Sequence, residues 1–410
     1  MARKHYLVGG AAFVAAATIA ACTSSKEINM TTPVDPLLGS YVSLGNSITA
    51  GYQSGGINDS TQHKSYAVLF ATQAATRFAI PSLSMPGCAP PVENFLTQAR
   101  VTPAGYPTST STSCYLRATG SITSVINNVA VPGAASVDPT ALTSANSNAL
   151  TTFILGGLTQ DQRALLANPT FVSVWIGNND VLANGLSGCL VPTASCIATG
   201  VTSQATFVTN YNNMIKGLKT SSTLKGGVLF AVINVTNAPL LFPAYLLNAS
   251  PAVRAGFEAA AGTAVSVDAS CDNTTPLISF QMTSYIHAGT LPPAVICKKG
   301  VYPAPVGDLF VLDSVEVPTI VADINAYNTY IKAKADSLGW AYVDMNPTLL
   351  ALKGAGLIPL FPDLTQPTKP FGDYFSLDGV HPSSLAHKAV ANLMIDSVNA
   401  HYGTAVPTIP

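Results

Sequence analysis

The stretch YVSLGNSITAG at residues 41–51 decides how the rest of the chain is interpreted. It begins with a short apolar, β-prone run, stops abruptly at Gly45-Asn46-Ser47 and resumes with small residues. A strand that ends in a tight turn carrying a serine places the hydroxyl at the strand's carboxyl end, where open α/β sheets hold their sites. Gly-Asn-Ser is also ordinary turn chemistry. The stretch alone therefore leaves a structural turn and a nucleophile both open.

Composition restricts the class of protein. The chain has 410 residues, enough for one large domain or two ordinary ones. Apolar residues make up 48 %, which allows a sizeable core, whereas charged residues make up only 10 % and the formal net charge is −1. Nucleic acids demand clustered Lys and Arg, and no long run of one sign is present. Nucleic acid is therefore excluded as a partner.

The N-terminus has the pattern of an export signal. Arg3 and Lys4 precede an almost wholly apolar or small run, Tyr6–Ala21, which is shorter than the roughly 20 residues of a membrane span. Small residues end this run, so residues 1–21 are predicted to be a secretory signal peptide. Cys22 then resembles the cysteine of a bacterial lipobox, which implies cleavage before Cys22 and its lipidation. An ordinary signal peptide with an incidental cysteine is the alternative.

The resemblance to a lipoprotein implies a location. Thr23, rather than Asp, follows Cys22, and this resembles the outer-membrane sorting pattern. We expect a protein of the bacterial cell envelope that contacts the membrane through lipidated Cys22. Residues 22–38 are predicted to be a polar tether, and 39–402 the folded domain.

The remaining cysteines are even in number, which in an exported chain suggests disulfides. Six cysteines allow 15 connectivities, and pairing of sequence neighbours is the simplest. The predicted pairs are Cys88–Cys114, Cys189–Cys196 and Cys271–Cys297. Their spacings do not resemble a zinc site, and the scattered histidines are accompanied by no carboxylate cluster. We therefore expect neither a metal nor another cofactor.

Strands and helices alternate along the chain, which favours a parallel sheet with helices on both faces. The predicted strands are about 40–45, Asn128–Ala134, Phe171–Ile176, Val228–Val235 and Trp340–Asp344. The predicted helices are Tyr66–Phe78, about 140–167 in one or two pieces, Gln204–Lys219, about 251–263, about 319–337 and Ser383–His401, with Ser383 or Ser384 as N-cap. Irregular insertions are predicted at about 79–127, 184–203 and 240–318, and long excursions of this kind are usually functional.

Chemistry-bearing residues follow the predicted strands. Ser47 follows the first strand, Gly133 the second and Asn179 the third, while Asp378 and His381 precede the last helix. A serine hydroxyl needs a base to become a nucleophile. His381 can be that base, and Asp378 can fix its tautomer and favour the imidazolium.

An acyl-transfer site also needs hydrogen-bond donors for the oxyanion. The backbone N–H groups of Ser47 and Gly133 and the side-chain amide of Asn179 can supply three.

Each motif has a simpler interpretation when taken alone: Val-Pro-Gly as a turn, Gly-Asn-Asn-Asp as a loop in which Asp180 competes with Asn179 for a structural role, and Asp378 with His381 as a helix start. Their order and their positions at strand ends favour the functional interpretation.

The four blocks together resemble those of the SGNH hydrolases, also called GDSL lipases and esterases, over residues from about 40 to 400. The resemblance implies a flavodoxin-like three-layer α/β/α sandwich with a central parallel sheet. It also implies that Ser47 is the nucleophile, Gly133 and Asn179 are oxyanion donors, and His381 is the base with Asp378. One departure is visible: Asn46 stands where the family usually has Asp, with nearly the same shape but no charge. We expect activity to survive, with an altered rate or pH profile.

The expected function is a serine esterase or lipase that hydrolyses carboxylic esters through an acyl-enzyme. A polysaccharide O-deacetylase of the same family is the alternative, and a non-catalytic surface-binding lipoprotein is a further one, motivated by Asn46 and the insertions. The apolar residues near 240–247 suggest an aliphatic acyl chain but are equally consistent with core packing. His63, His287 and His387 lack evident partners in the sequence and are expected at the surface.

Overall fold

The computed structural model describes residues 26–28, 32–116, 125–141, 147–190, 200–300 and 309–410. Its strands are β1 (Lys26–Ile28), β2 (Tyr41–Gly45), β3 (Phe78–Ile80), β4 (Phe171–Trp175), β5 (Gly226–Phe230), β6 (Leu241–Pro243), β7 (Ser266–Val267), β8 (Leu277–Ser279), β9 (Ala294–Val295), β10 (Val311–Leu312) and β11 (Ala341–Val343). Its α-helices are α1 (Ser47–Ala50), α2 (Asp59–Gln62), α3 (Tyr66–Gln73), α4 (Ala149–Leu155), α5 (Gln160–Leu165), α6 (Leu182–Ser187), α7 (Gln204–Leu218), α8 (Leu246–Ala249), α9 (Pro251–Ala261), α10 (Met282–His287), α11 (Glu316–Leu338), α12 (Asn346–Gly354) and α13 (Ser384–Tyr402).

The central sheet is parallel, in the order β11-β5-β4-β2. Strands β2, β4 and β5 are buried along their whole length, as their nearly continuous apolar sequences predict. Tyr41 of β2 lies opposite Phe171 of β4, and Gly45 lies opposite Trp175. All these strands therefore end at the same edge, where the predicted site residues follow them.

Helices cover both faces of this sheet and confirm the three-layer sandwich. On one face, Val42 and Leu44 pack in an apolar cluster with side chains of α4, α7 and α11. On the other face, Tyr41 and Trp175 pack with side chains of α3 and α13. Trp175 and Phe230 stack with ring centroids 4.7 Å apart, and each buried side chain of this size contributes roughly 2–3 kcal/mol.

Local sequence explains where the long helices begin. Ser203 accepts a hydrogen bond from the Thr206 N–H at the start of α7, and Ser383 accepts one from the Ala386 N–H at the start of α13. In α7 the apolar side chains recur every three to four residues and face the core. The predictions of helices at 204–219 and 383–401 are therefore confirmed to within one residue.

Three predicted elements differ in the structure. The helix predicted to run to Phe78 ends at Gln73, and Phe78 begins β3, which pairs antiparallel with β1. Because β1 lies within residues 22–38, this part of the predicted tether joins a sheet of the folded domain. The strand predicted at Asn128–Ala134 forms only an isolated parallel bridge from Asn128 to Ser43. Pro132 has no N–H with which to continue the pairing, and Gly133 turns the chain away. α12 lies between the predicted strand Trp340–Asp344 and the predicted helix Ser383–His401, where no helix was predicted.

The predicted insertion at 240–318 folds around an apolar cluster of its own. Strands β10, β8 and β6 form an antiparallel sheet there, and α9 and α10 pack beside it. Phe242, Phe257 and Phe280 are buried in this cluster. The apolar residues at 240–247 are thus largely core residues of the insertion.

The structure forms two of the predicted disulfides, Cys88–Cys114 and Cys271–Cys297. Cys189 is buried, but Cys196 lies outside the described residues, as do Cys22 and the predicted signal peptide. Within the described part of the chain, no helix combines the length and hydrophobicity that a membrane crossing requires.

Candidate active site

Ser47 is the first residue of α1, directly after β2. Asn46 caps this helix, because its Oδ1 accepts a hydrogen bond of 3.1 Å from the Ile48 N–H. The turn between strand and helix is tight: a Cβ at Gly45 would lie 2.7 Å from the carbonyl oxygen of Trp175. Glycine is therefore required at position 45, and the turn presents Ser47 at the carboxyl end of the sheet, with 7 % of the residue exposed.

His381 contacts both Ser47 and Asp378. Its Nε2 lies 2.9 Å from Ser47 Oγ, and its Nδ1 lies 2.8 Å from Asp378 Oδ2. The side chains of His381 and Asp378 are 14 % and 18 % exposed. When Nδ1 donates to the carboxylate, Nε2 is free to accept the serine proton, which is the tautomer that a general base requires.

Backbone donors stabilise the Asp378 carboxylate. Oδ1 accepts hydrogen bonds from the N–H groups of Val380 and His381 at 2.9 and 2.8 Å, and Oδ2 accepts one from Gly55 at 2.7 Å. Burial alone would raise the pKa of Asp378, but the charge and hydrogen bonds of His381 and the backbone donors outweigh burial and lower this pKa to about 2. Asp378 is therefore ionised at neutral pH.

The predicted oxyanion donors lie beside Ser47. Gly133, at φ = +89°, and Asn179 line the same cleft as Ser47 and His381. Asn179 Nδ2 donates to the Ala134 carbonyl at 2.8 Å, which fixes the amide and leaves its second N–H available. Within the described part of the chain, the N–H groups of Ser47 and Gly133 donate no hydrogen bond. The structure thus brings all five predicted site residues together.

Asp180 holds two of the site loops together. Its Oδ2 accepts a hydrogen bond from the Ser136 N–H at 2.8 Å, and its Oδ1 accepts one from the Ser136 hydroxyl at 2.6 Å. The loop of Asn179 is thereby joined to the loop that follows Gly133. Burial raises the pKa of Asp180, although the hydrogen bonds from Ser136 oppose that rise.

Three residues that support the site were not predicted from the sequence. The buried Gln160 amide bonds to both the N–H and the carbonyl oxygen of Gly45 at 3.1 Å. The Tyr52 ring lies 4.9 Å from the His381 ring, between centroids. Only the position of Tyr52, directly after the turn glycine that ends α1, pointed toward the site. For Gln160 and Ser136, the contacts depend on distant parts of the chain, and no local pattern marks them.

Two clefts meet at Ser47 and His381. The first cleft encloses about 950 Å³, part of it open to solvent. Beyond the site residues it is lined almost wholly by apolar side chains, which include Ile48, Leu182, Val235, Leu349, Leu352 and Val390. The second cleft is lined by Tyr52, Thr112, Pro132, Gly133, Leu150 and the disulfide Cys88–Cys114. Ser47 therefore faces one apolar and one mixed binding surface.

Of the three histidines expected at the surface, two are at least partly exposed and one is buried. The prediction that His387 lies at the surface is wrong: it is completely buried on α13, and its Nδ1 accepts a hydrogen bond of 3.2 Å from the Tyr66 N–H. Burial, with a smaller contribution from the charge of His381, lowers the pKa of His387 to about 3, so it is neutral. His287 is exposed, and the partly exposed His63 contacts the backbone of Asp59. Among the described residues, no three His, Cys, Asp or Glu side chains form a metal-binding group.

Comparison with known proteins places the chain in a family. No curated protein sequence shows significant similarity to it. A solved structure, that of LAE5, an α/β hydrolase enzyme from the metagenome of Lake Arreo, Spain, is similar with 11 % identity and a TM-score of 0.39 over 88 % of this chain and 95 % of that one. This likeness is too remote to carry an argument. The family model of the GDSL-like lipase/acylhydrolases matches residues 41–394, and the chain therefore belongs to this family of hydrolases.

Proposed function

We propose that the protein is a serine esterase that hydrolyses carboxylic esters with aliphatic acyl chains. One observation carries this proposal: a continuous run of hydrogen bonds from Asp378 through His381 to Ser47, which opens onto an apolar cleft. The free N–H groups of Ser47 and Gly133 and the second N–H of Asn179 support it, since a tetrahedral intermediate needs such donors.

The reaction proceeds in two halves. Ser47 Oγ attacks the ester carbonyl carbon while His381 Nε2 takes the serine proton, and the oxyanion is held by the three donors. The carbonyl re-forms, the bond to the alcohol oxygen breaks, and His381 returns the proton to the leaving alcohol. Water then attacks the acyl-enzyme with His381 again as base, which releases the acid and restores Ser47. Asp378 stays ionised throughout and stabilises the imidazolium.

The apolar cleft supports a fatty acyl chain over an acetyl group. An acetyl group carries one methyl and gains little from a long apolar lining, whereas each buried methylene contributes about 0.8 kcal/mol. A series of p-nitrophenyl esters from acetate to palmitate separates the two. We expect kcat/KM to rise with chain length over the first members. A sharp preference for acetate would favour polysaccharide O-deacetylation instead.

Replacing the nucleophile tests the activity itself. Ser47→Ala should abolish turnover of p-nitrophenyl octanoate, while Ser43→Ala, at a buried serine four positions earlier in β2, should retain it. Equal rates for wild type and Ser47→Ala would refute the proposal. A folded wild type that hydrolyses no ester would favour the non-catalytic binding role.

We also propose that the chain is anchored in the bacterial cell envelope through a lipid on Cys22, with the outer membrane as the site. The basic start, the apolar run and the small residues before Cys22 support this proposal. Labelling of the expressed full chain with radioactive palmitate should be lost in Cys22→Ser. Equal labelling of the two chains would contradict it.

A further inference from the structure

An ester has an acyl half and an alcohol half, and two clefts meet at Ser47. Ser47, Asn179 and His381 line both clefts, so an ester whose carbonyl is bound at Ser47 has a cleft available for each of its two halves. The apolar first cleft suits the acyl chain, as argued above. The second cleft then remains for the alcohol half.

His381 supports this assignment. The ring must deliver its proton to the oxygen of the leaving alcohol, and the alcohol must therefore lie near this ring. The Tyr52 ring packs against the ring of His381 at 4.9 Å between centroids and lines the second cleft but not the first. His381 itself lines both clefts, so a leaving alcohol in the second cleft lies beside the imidazole.

The second cleft carries hydroxyl groups that no other part of the described chain uses. The structure gives Tyr52 Oη and Thr112 Oγ1 no hydrogen-bond partner within those residues. Burial and the charge of Asp378 raise the pKa of Tyr52 to about 12, although the charge of Arg100 opposes this rise. The Tyr52 hydroxyl therefore stays neutral and can both donate and accept a hydrogen bond. Hydroxyl groups of a ligand have the same two capacities.

We infer that the second cleft binds the alcohol half of the substrate and that Tyr52 and Thr112 select a polyhydroxylated alcohol, such as glycerol or a sugar. This inference rests on the proposed function. The second cleft is also lined by the Cys88–Cys114 disulfide, which lies within the predicted insertion at 79–127. The insertion thereby supplies the surface that distinguishes one alcohol from another.

Octanoate esters of different alcohols test the inference, because they share one acyl chain. The substrates are 1-monooctanoylglycerol, methyl octanoate and cyclohexylmethyl octanoate, and the release of octanoate is followed by pH-stat. We expect kcat/KM for the glycerol ester to exceed that for the cyclohexylmethyl ester about 25-fold, which is about fivefold for each of two neutral hydrogen bonds.

Removal of single hydroxyls identifies the groups responsible. Tyr52→Phe keeps the ring against His381, and Thr112→Val keeps the shape of the side chain. Each should lower kcat/KM for the glycerol ester about fivefold more than it lowers kcat/KM for methyl octanoate. Tyr106→Phe, at an exposed tyrosine outside both clefts, is the matched control and should change neither rate.

The outcomes separate the inference from the proposed function. If Ser47-dependent hydrolysis occurs but the glycerol ester has no advantage, or if Tyr52→Phe lowers all three rates equally, the inference is overturned and the esterase stands. If the protein hydrolyses no ester, including p-nitrophenyl octanoate, both are overturned.

Discussion

His381 Nε2 lies 2.9 Å from Ser47 Oγ, although 334 positions separate the two residues in the chain. The parallel sheet brings them together, because Ser47 follows β2 at the edge that Asp378 and His381 approach just before α13. Asp378 completes the contact at 2.8 Å from His381 Nδ1.

Asp378→Asn should lower kcat for p-nitrophenyl octanoate by about 10³- to 10⁴-fold, because an amide at this position favours the wrong histidine tautomer. It should also change the dependence of stability on pH. The pKa of Asp378 is about 2 in the folded protein and 3.8 ordinarily, so its stabilisation is present above about pH 4 and is lost as the pH falls toward 2. That stabilisation is about 2 kcal/mol.

Chemical denaturation of wild type and Asp378→Asn at pH 6 and pH 2.5 measures this difference. The gap in unfolding free energy between the two proteins should be larger at pH 6. A gap that is equal at both pH values would show that the carboxylate is not stabilised in the way the hydrogen bonds indicate.

Asn46→Asp should destabilise the protein, although it introduces the residue usual in the family. Asn46 is fully buried, and within the described residues its Nδ2 has no hydrogen-bond partner. Aspartate would keep the acceptor for Ile48 N–H and bury an unpaired carboxylate oxygen, at a cost of about 1–3 kcal/mol. Because burial opposes the charged form, the cost should be present at pH 8 and decrease toward pH 4.

The Tm of Asn46→Asp at pH 8 and pH 4 measures this cost. Asn46→Ala is the control: it loses only the helix cap, so its loss of stability should not depend on pH in this way. Turnover by Asn46→Asp should persist, because the cap that orients Ser47 is retained. Greater stability than wild type at pH 8 would contradict the account.

Asp161→Asn should stabilise the protein in mildly alkaline solution. Within the described residues neither carboxylate oxygen of Asp161 has a hydrogen-bond partner, and burial raises its pKa to about 8. The folded state therefore keeps its proton between about pH 4 and 8 while the unfolded state releases it, and wild-type stability decreases over that range. The gain in Tm from Asp161→Asn should be larger at pH 8 than at pH 5. An equal gain at both would show that the carboxyl is not desolvated.

Ala389→Trp should shorten the acyl chain that the enzyme prefers. Ala389 lines the first cleft from α13, and an indole there would fill space that a longer chain occupies. We expect kcat/KM for p-nitrophenyl octanoate to decrease relative to the butyrate by at least tenfold. Leu150→Met in the second cleft is the matched control, and an unchanged ratio in Ala389→Trp would remove the acyl chain from this cleft.

Local sequence predicted the parts of the site that follow strand ends. Ser47, Gly133 and Asn179 each follow a short apolar run that the parallel sheet aligns at one edge, and this alignment makes their convergence predictable. The elements of the insertion were not predictable in the same way. Strands such as β8 and β10 span two or three residues, too few for a periodic pattern, and depend on pairing with each other.

Burial of isolated polar residues also depended on distant contacts. His387 is buried because α13 packs on α3, whose Tyr66 lies 321 positions earlier. Asp180 and Ser136 meet because the loops after Gly133 and β4 adjoin at the sheet edge. Neither contact leaves a signal in the sequence near the residue.

Labelling with a fluorophosphonate, followed by peptide mass spectrometry, tests the central claim most directly. A fluorophosphonate reacts with a serine that an adjacent base has activated. The account predicts a single adduct on Ser47 of the folded wild type, strongly reduced in Asp378→Asn and absent after denaturation. Absence of an adduct on the folded protein, or an adduct on another serine with Ser47 unmodified, would contradict it.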